Sequence, residues 1–200
     1  VANPYQTWDE VGSGLPGNRI LVYGPPPTSG TRDAFVELGI EAGARKFPTA
    51  EDLRSNNEKK FKEMVDPLRK TNWIDAGEND NAIVQTLTKT PGSLGVFGFS
   101  FLEENMDKVK GAAVGGVKPT PGAIADGSYP LSRSLFIYVK KANLGVTKGL
   151  QEYVNEFVSD AATGKGGYLQ ERGLIPLPAG QHSAQQQTAQ AMVKMARPAA

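Results

Sequence analysis

The sequence predicts an α/β fold with a largely parallel sheet. Short apolar runs rich in β-branched and aromatic residues, Arg19–Tyr23 and Gly95–Phe101 among them, alternate with stretches of helical periodicity. The chain has 200 residues, 39% of them hydrophobic, which allows one large domain or two small ones with a buried core. Its 23 glycines and 14 prolines punctuate many short elements, as expected of an α/β chain rather than a helical bundle.

Thr7, with Glu10 three residues on, reads as a capping box opening a short helix. Arg19–Tyr23 reads as a buried strand, ended by Gly24 and three prolines that cannot donate to a ladder. A helix follows from Thr31 to Gly39, with Ala34, Phe35 and Leu38 at helical spacing. Residues 41–62 are charged and read as the most exposed part of the domain, with helix starts at Ala50 and Glu58 and a break at Pro67. Trp73–Ile74 is a short strand, Asn81–Lys89 a helix with Ile83, Val84 and Leu87 inward, and Gly95–Phe101 a second buried strand. The glycines of that strand imply close approach of a backbone or a ligand. Leu102–Val109 reads as a short helix, Ala112–Val114 as a strand and Pro121–Asp126 as a helix. Ser134–Lys140 is the clearest strand of all. An amphipathic helix at Gly149–Ser159, a short one in Gly166–Arg172, an extended Leu174–Pro178 and a Gln- and Ala-rich helix over Ser183–Ala196 complete the chain.

Composition removes several kinds of chemistry. The net charge of +1 gives no broad pull toward nucleic acid or an anionic membrane, so any anion site is local. The chain has no cysteine and a single histidine, His182, which excludes thiolate chemistry and leaves no plausible zinc ligand set; no cofactor is expected. His182 lies in a polar tail and reads as solvated. The carboxylate pairs Asp9–Glu10, Glu51–Asp52 and Glu103–Glu104 fall at helix starts or on the surface, so solvated faces explain them better than acid/base work. No catalytic residue is identified. The first residues show neither the basic start nor the apolar run of a signal peptide, and the compartment is left open by composition.

One unit carries chemistry: a strand, a proline turn, then Thr28-Ser29-Gly30-Thr31-Arg32-Asp33 at a helix start. The first N–H groups of a helix lack intrahelical partners, carry partial positive charge and suit an anion. Gly30 admits close approach, Ser29 and Thr31 offer hydroxyls, and Arg32 offers a planar charged fork that Asp33 could steady. The plain alternative is an ordinary N-cap. The glycine spacing and Thr31 in the lysine position exclude a nucleotide P-loop.

Tyr23-Gly-Pro-Pro-Pro-Thr-Ser-Gly-Thr-Arg-Asp-Ala-Phe35 resembles the phosphate loop of periplasmic phosphate-binding proteins that serve ABC transporters. Gly77–Asn81, Gly95–Asn105 and Asp126–Val139 resemble later segments of that family in the same order, and the likeness extends from about Tyr5 to Pro178. It implies a type 2 periplasmic-binding-protein-like fold: residues 1–108 as the second lobe, and residues 109–200 as the return crossing and an incomplete C-terminal part of the first lobe. The opening part of the first lobe is then absent from this chain. The implied function is capture of inorganic phosphate in an interlobe cleft for delivery to permease subunits, in the periplasm and without catalysis; the alternative is an enzyme or sensor module holding a phosphorylated ligand with the same loop. The implied phosphate residues are Ser29, Gly30, Thr31 and Arg32, with Thr28, Asp33 and Asp80 as support. Some family members place an arginine four residues before the serine, where this chain has Pro25, so Arg32 is the candidate for that role. The first lobe, or a second copy, is expected to cover the C-terminal helices. Charged hydrogen bonds contribute about 1.5–3 kcal/mol each, micromolar binding needs roughly 8 kcal/mol, and association costs about 4 kcal/mol or more. A half-site is therefore expected to bind phosphate weakly.

Overall fold

The computed structural model describes residues 5–66 and 72–195. It divides into two compact units, Val1–Lys118 and Pro119–Ala200.

The first unit is built on a three-stranded parallel sheet: β1 (Val22–Gly24), β2 (Trp73–Asp75) and β3 (Leu94–Gly95) in the order β2-β1-β3. Val22 and Tyr23 of the central strand pair with Trp73 and Ile74 on one side and with Leu94 and Gly95 on the other. The strands are shorter than the apolar runs predict. Pro25, Pro26 and Pro27 end β1 because they lack the N–H that the ladder needs. The predicted strand over Gly95–Phe101 holds only at its start: Gly98 turns the chain and Phe99–Glu103 is helical. Ala112–Val114 forms no strand, only an isolated bridge between Val114 and Val117.

Helices flank the sheet. A continuous helical run begins at Gly30, passes through a π-helical stretch at Val36–Glu41 and ends at Ala44, five residues beyond the predicted end at Gly39. Pro48–Asn56 and Glu58–Val65 form a helical hairpin, its second helix capped by Asn57 Oδ1 accepting from Lys60 N at 3.0 Å. The charged stretch is thus not simply exposed. Ala50, Phe61 and Val65 are buried together, with Ile40, Ala44, Leu53 and Met64 packed around them. Pro67, the expected break, lies outside the described residues. Asp80–Lys89 packs Ile83 and Val84 inward as its periodicity predicts. A Cβ on Gly95 would fall 2.6 Å from Leu87 Cδ1 and 2.9 Å from Phe97 Cε1. The close approach foreseen at this strand is therefore to side chains. At the start of the unit, Glu10 folds back on Gln6 N and Thr7 N, as a capping box requires, and these bonds hold its carboxyl below the usual value.

In the second unit, Thr120 Oγ1 caps the helix Pro121–Ala125 by accepting from Ala123 N at 3.2 Å. Helices Leu150–Phe157, Asp160–Thr163 and Ala179–Gln190 follow, with Val154 and Ala162 buried. The last helix starts four residues before the predicted Ser183; residues 196–200 are outside the described set. The expectation that His182 is solvated fails. It is 7% exposed, with Nε2 3.1 Å from Thr163 Oγ1 and Nδ1 3.3 Å from Asp160 Oδ1. Ser134–Lys140 is not a strand, and the described residues of this unit contain none. Leu135, Phe136, Ile137 and Tyr138 are 79, 72, 44 and 77% exposed. The run has strand-forming residues on both faces, but strands form by pairing, and no neighbouring strand stands beside it among the described residues.

Candidate anion site at the carboxyl edge of the sheet

The chain leaves β1 toward β2 on one side and, through the helix Asp80–Lys89, returns to β3 on the other. The strand order therefore reverses between β1 and β3, and in parallel α/β sheets the crevice outside the carboxyl ends at such a point is where ligands bind. Two loops border it: Pro25–Ser29 after β1 and Val96–Gly98 after β3. Val96 N donates to Tyr23 O at 2.8 Å, which holds the bases of the two loops together.

The helix start lies on the first of these loops. Ser29 has extended backbone angles and caps the helix, its Oγ accepting from Thr31 N at 3.2 Å. Ser29 N donates to Pro26 O at 3.0 Å and Asp33 N to Ser29 O at 3.2 Å, so the turn is closed on both sides. Thr28, Gly30 and Asp33 are exposed, while Ser29 and Thr31 are half-buried. The geometry includes the ordinary cap and also presents the Ser29–Arg32 segment at the crevice edge.

Supporting residues tie neighbouring loops to this edge. Thr28 Oγ1 donates to Glu78 Oε1 at 2.8 Å, linking the loop after β1 to the loop after β2. Asp80 Oδ2 accepts from Gly98 N at 3.3 Å, linking the next helix start to the loop after β3. Burial pushes the Asp80 carboxyl above the usual value; the Gly98 bond opposes this and the Glu78 charge adds to it. The sequence gives no reason to place Glu78 at the site. Its signal was only a carboxylate in a turn, and nothing local marks Thr28 as its partner.

Arg32 departs from the expectation that its fork faces the anion. The residue is 9% exposed, Nη1 donates to Pro25 O at 3.4 Å, and Cζ lies 5.3 Å from the centroid of the Trp73 ring. The helical repeat explains this: position 32 falls on the side of the first turn that faces the sheet, where β2 presents an aromatic surface.

Residues 3–161 match the family described as a PBP superfamily domain. The chain belongs to the PBP superfamily. Its parallel sheet fits the type 2 periplasmic binding fold of the superfamily. A phosphate-binding protein PstS of Staphylococcus saprophyticus is 29% identical over 186 residues, covering 90% of this chain and 49% of that protein. Protein SphX of Synechococcus elongatus is 34% identical over 188 residues, covering 88% of this chain and 45% of that protein. A solved structure from Planctomyces limnophilus, described as a possible phosphate binding protein, superposes with a TM-score of 0.62 at 28% identity, covering 96% of this chain and 60% of that one. The PBP-family chain described here thus spans about half the length of the curated relatives it matches. The Staphylococcus relative and the solved structure are named for binding rather than for a reaction.

Proposed function

We propose that this chain is part of a solute-binding protein that captures inorganic phosphate in the periplasm for an ABC transporter, with no chemistry of its own. The observation that carries the reading is the Ser29–Arg32 helix start at the edge of the β1/β3 crevice. Phosphate would be met by the backbone amides that follow Ser29, those of Gly30, Thr31 and Arg32, and by the hydroxyls of Ser29 and Thr31. On binding, Ser29 Oγ exchanges its acceptor role toward Thr31 N for a donor role toward a phosphate oxygen, which releases Thr31 N to the same ligand. Arg32 contributes its N–H and the field of a charge held just beneath the loop. Asp80 and Glu78 brace the loops, and Thr28 and Asp33 flank the cradle.

In this reading residues 1–108 form the second lobe and residues 109–200 belong to the return crossing and the first lobe. The apolar run Leu135–Tyr138, exposed on both faces, supports a lobe that is completed by further chain or by a second copy. So do relatives about twice as long. The cleft is then half present, and binding by this chain alone is weaker than micromolar. Calorimetric titration with inorganic phosphate, with sulfate as control, tests this. Saturable heat at submillimolar to millimolar phosphate is expected. No heat at those concentrations would overturn the phosphate reading, and sub-micromolar affinity would overturn the half-site.

A further inference from the structure

Trp73 opens β2 and its ring meets three groups of the neighbouring loop and helix. A Cβ on Gly24 would fall 2.2 Å from its Cζ2 and 2.4 Å from its Cη2. The last residue of β1 is therefore glycine for space alone. The Phe35 ring lies 5.7 Å away, centroid to centroid, and the Arg32 guanidinium 5.3 Å over the ring. Its Nε1 is buried with no hydrogen-bond partner among the described residues. Here an indole accepts an unmet N–H where a phenyl ring would have had none, so the feature in use is its breadth.

These contacts fall at both ends of the loop that the proposed function uses. Gly24 and Pro25 are where the chain leaves β1, Arg32 and Phe35 lie in the first turns of the helix, and Arg32 Nη1 joins the two by its bond to Pro25 O. We propose that the side chains of Trp73 and Arg32 have a positioning role, a buried clamp that fixes the direction of the helix-start amides without itself touching the ligand. The inference rests on the phosphate reading for its purpose, but not for its geometry. The indole supplies a flat platform, and the guanidinium lies on it while holding the loop's first carbonyl. A lysine keeps the charge but has neither the plane nor the fork.

The test compares the wild-type chain with Trp73→Phe, Trp73→Leu, Arg32→Lys and Arg32→Met. Hydrogen exchange of the loop amides is measured without ligand, and affinity for inorganic phosphate is measured under conditions where every variant is folded. Trp73→Leu and Arg32→Met are expected to speed loop exchange and weaken phosphate binding by about tenfold each. Trp73→Phe, which keeps a flat ring but not the breadth, should recover both only in part, and Arg32→Lys should match Arg32→Met in loop exchange while keeping the charge's share of the affinity. Wild-type exchange and affinity in Trp73→Leu and Arg32→Met would overturn the clamp. So would full binding in Arg32→Lys alongside none in Arg32→Met, which marks a direct charge contact. If Trp73→Leu does not fold, Gly24→Ala gives the same decision, because its Cβ drives the ring off the loop: faster exchange supports the clamp and unchanged exchange overturns it. A wild-type chain that ignores phosphate would defeat the functional reading alone, since the exchange comparison needs no ligand.

Discussion

Replacing Ser29 with alanine separates the two roles that this residue can have. In the free protein its Oγ caps the helix by accepting from Thr31 N at 3.2 Å. Loss of such a cap costs about 1 kcal/mol of stability. If the segment only ends a loop, this is the whole effect. If phosphate binds there, the variant also loses a hydroxyl donor to an anion, a bond of about 1.5–3 kcal/mol. That converts to roughly a 10- to 100-fold weaker dissociation constant. The freed Thr31 N returns a little of this, because it no longer has to leave Ser29 Oγ before meeting the ligand. Thermal unfolding and phosphate titration are measured on the same preparations. The expected result is a small drop in midpoint with a large drop in affinity. A variant that is destabilised but binds phosphate as the wild type does would refute the cradle and leave an N-cap.

Asp80→Asn tests the half-buried carboxylate. Its folded pKa is raised above the unfolded one, so the protonated form is favoured in the fold. The corresponding stability is full below the unfolded pKa and is lost as pH rises through the folded value. The variant keeps an acceptor for Gly98 N, and its midpoint should exceed the wild type's near pH 7 and match it at about pH 3. Met192, at φ +47°, closes the helix Ala179–Gln190, with Val193 N donating to Thr188 O and Lys141 Nζ to Met192 O. Met192→Gly relieves a left-handed residue that costs about 1–2 kcal/mol, less glycine's own entropic cost, and a rise of a few degrees in melting is expected. Phe61, fully buried, should cost about 3–5 kcal/mol as alanine, measured by denaturant unfolding; a surface-like effect would mean that the charged hairpin does not fold as described.

Much of the fold was legible locally. Chain-order alternation named the α/β class, the proline run marked where β1 stops, and the periodicity of Ile83, Val84 and Leu87 set the inward face of its helix. The helix start at Ser29 was also legible, because capping is decided by residues adjacent in sequence. Other features depended on partners far along the chain. Glu78 meets Thr28 across 50 residues, and Arg32 turns inward because Trp73 lies beside it in the sheet. His182 is buried by Thr163 and Asp160, which no property of its own polar neighbourhood could show.

The same division runs through the molecule. Sequence by itself determined where a helix starts and which runs favour extended chain, since both follow from steric and bonding preferences within a few residues. Tertiary structure alone decided that Ser134–Lys140 pairs with no strand among the described residues, because a strand exists only by virtue of another strand, whatever its own residues prefer. It also decided that the charge of Arg32 lies under the loop instead of over it. A guanidinium takes whichever flat surface and carbonyl the assembled sheet presents, and here these are Trp73 and Pro25.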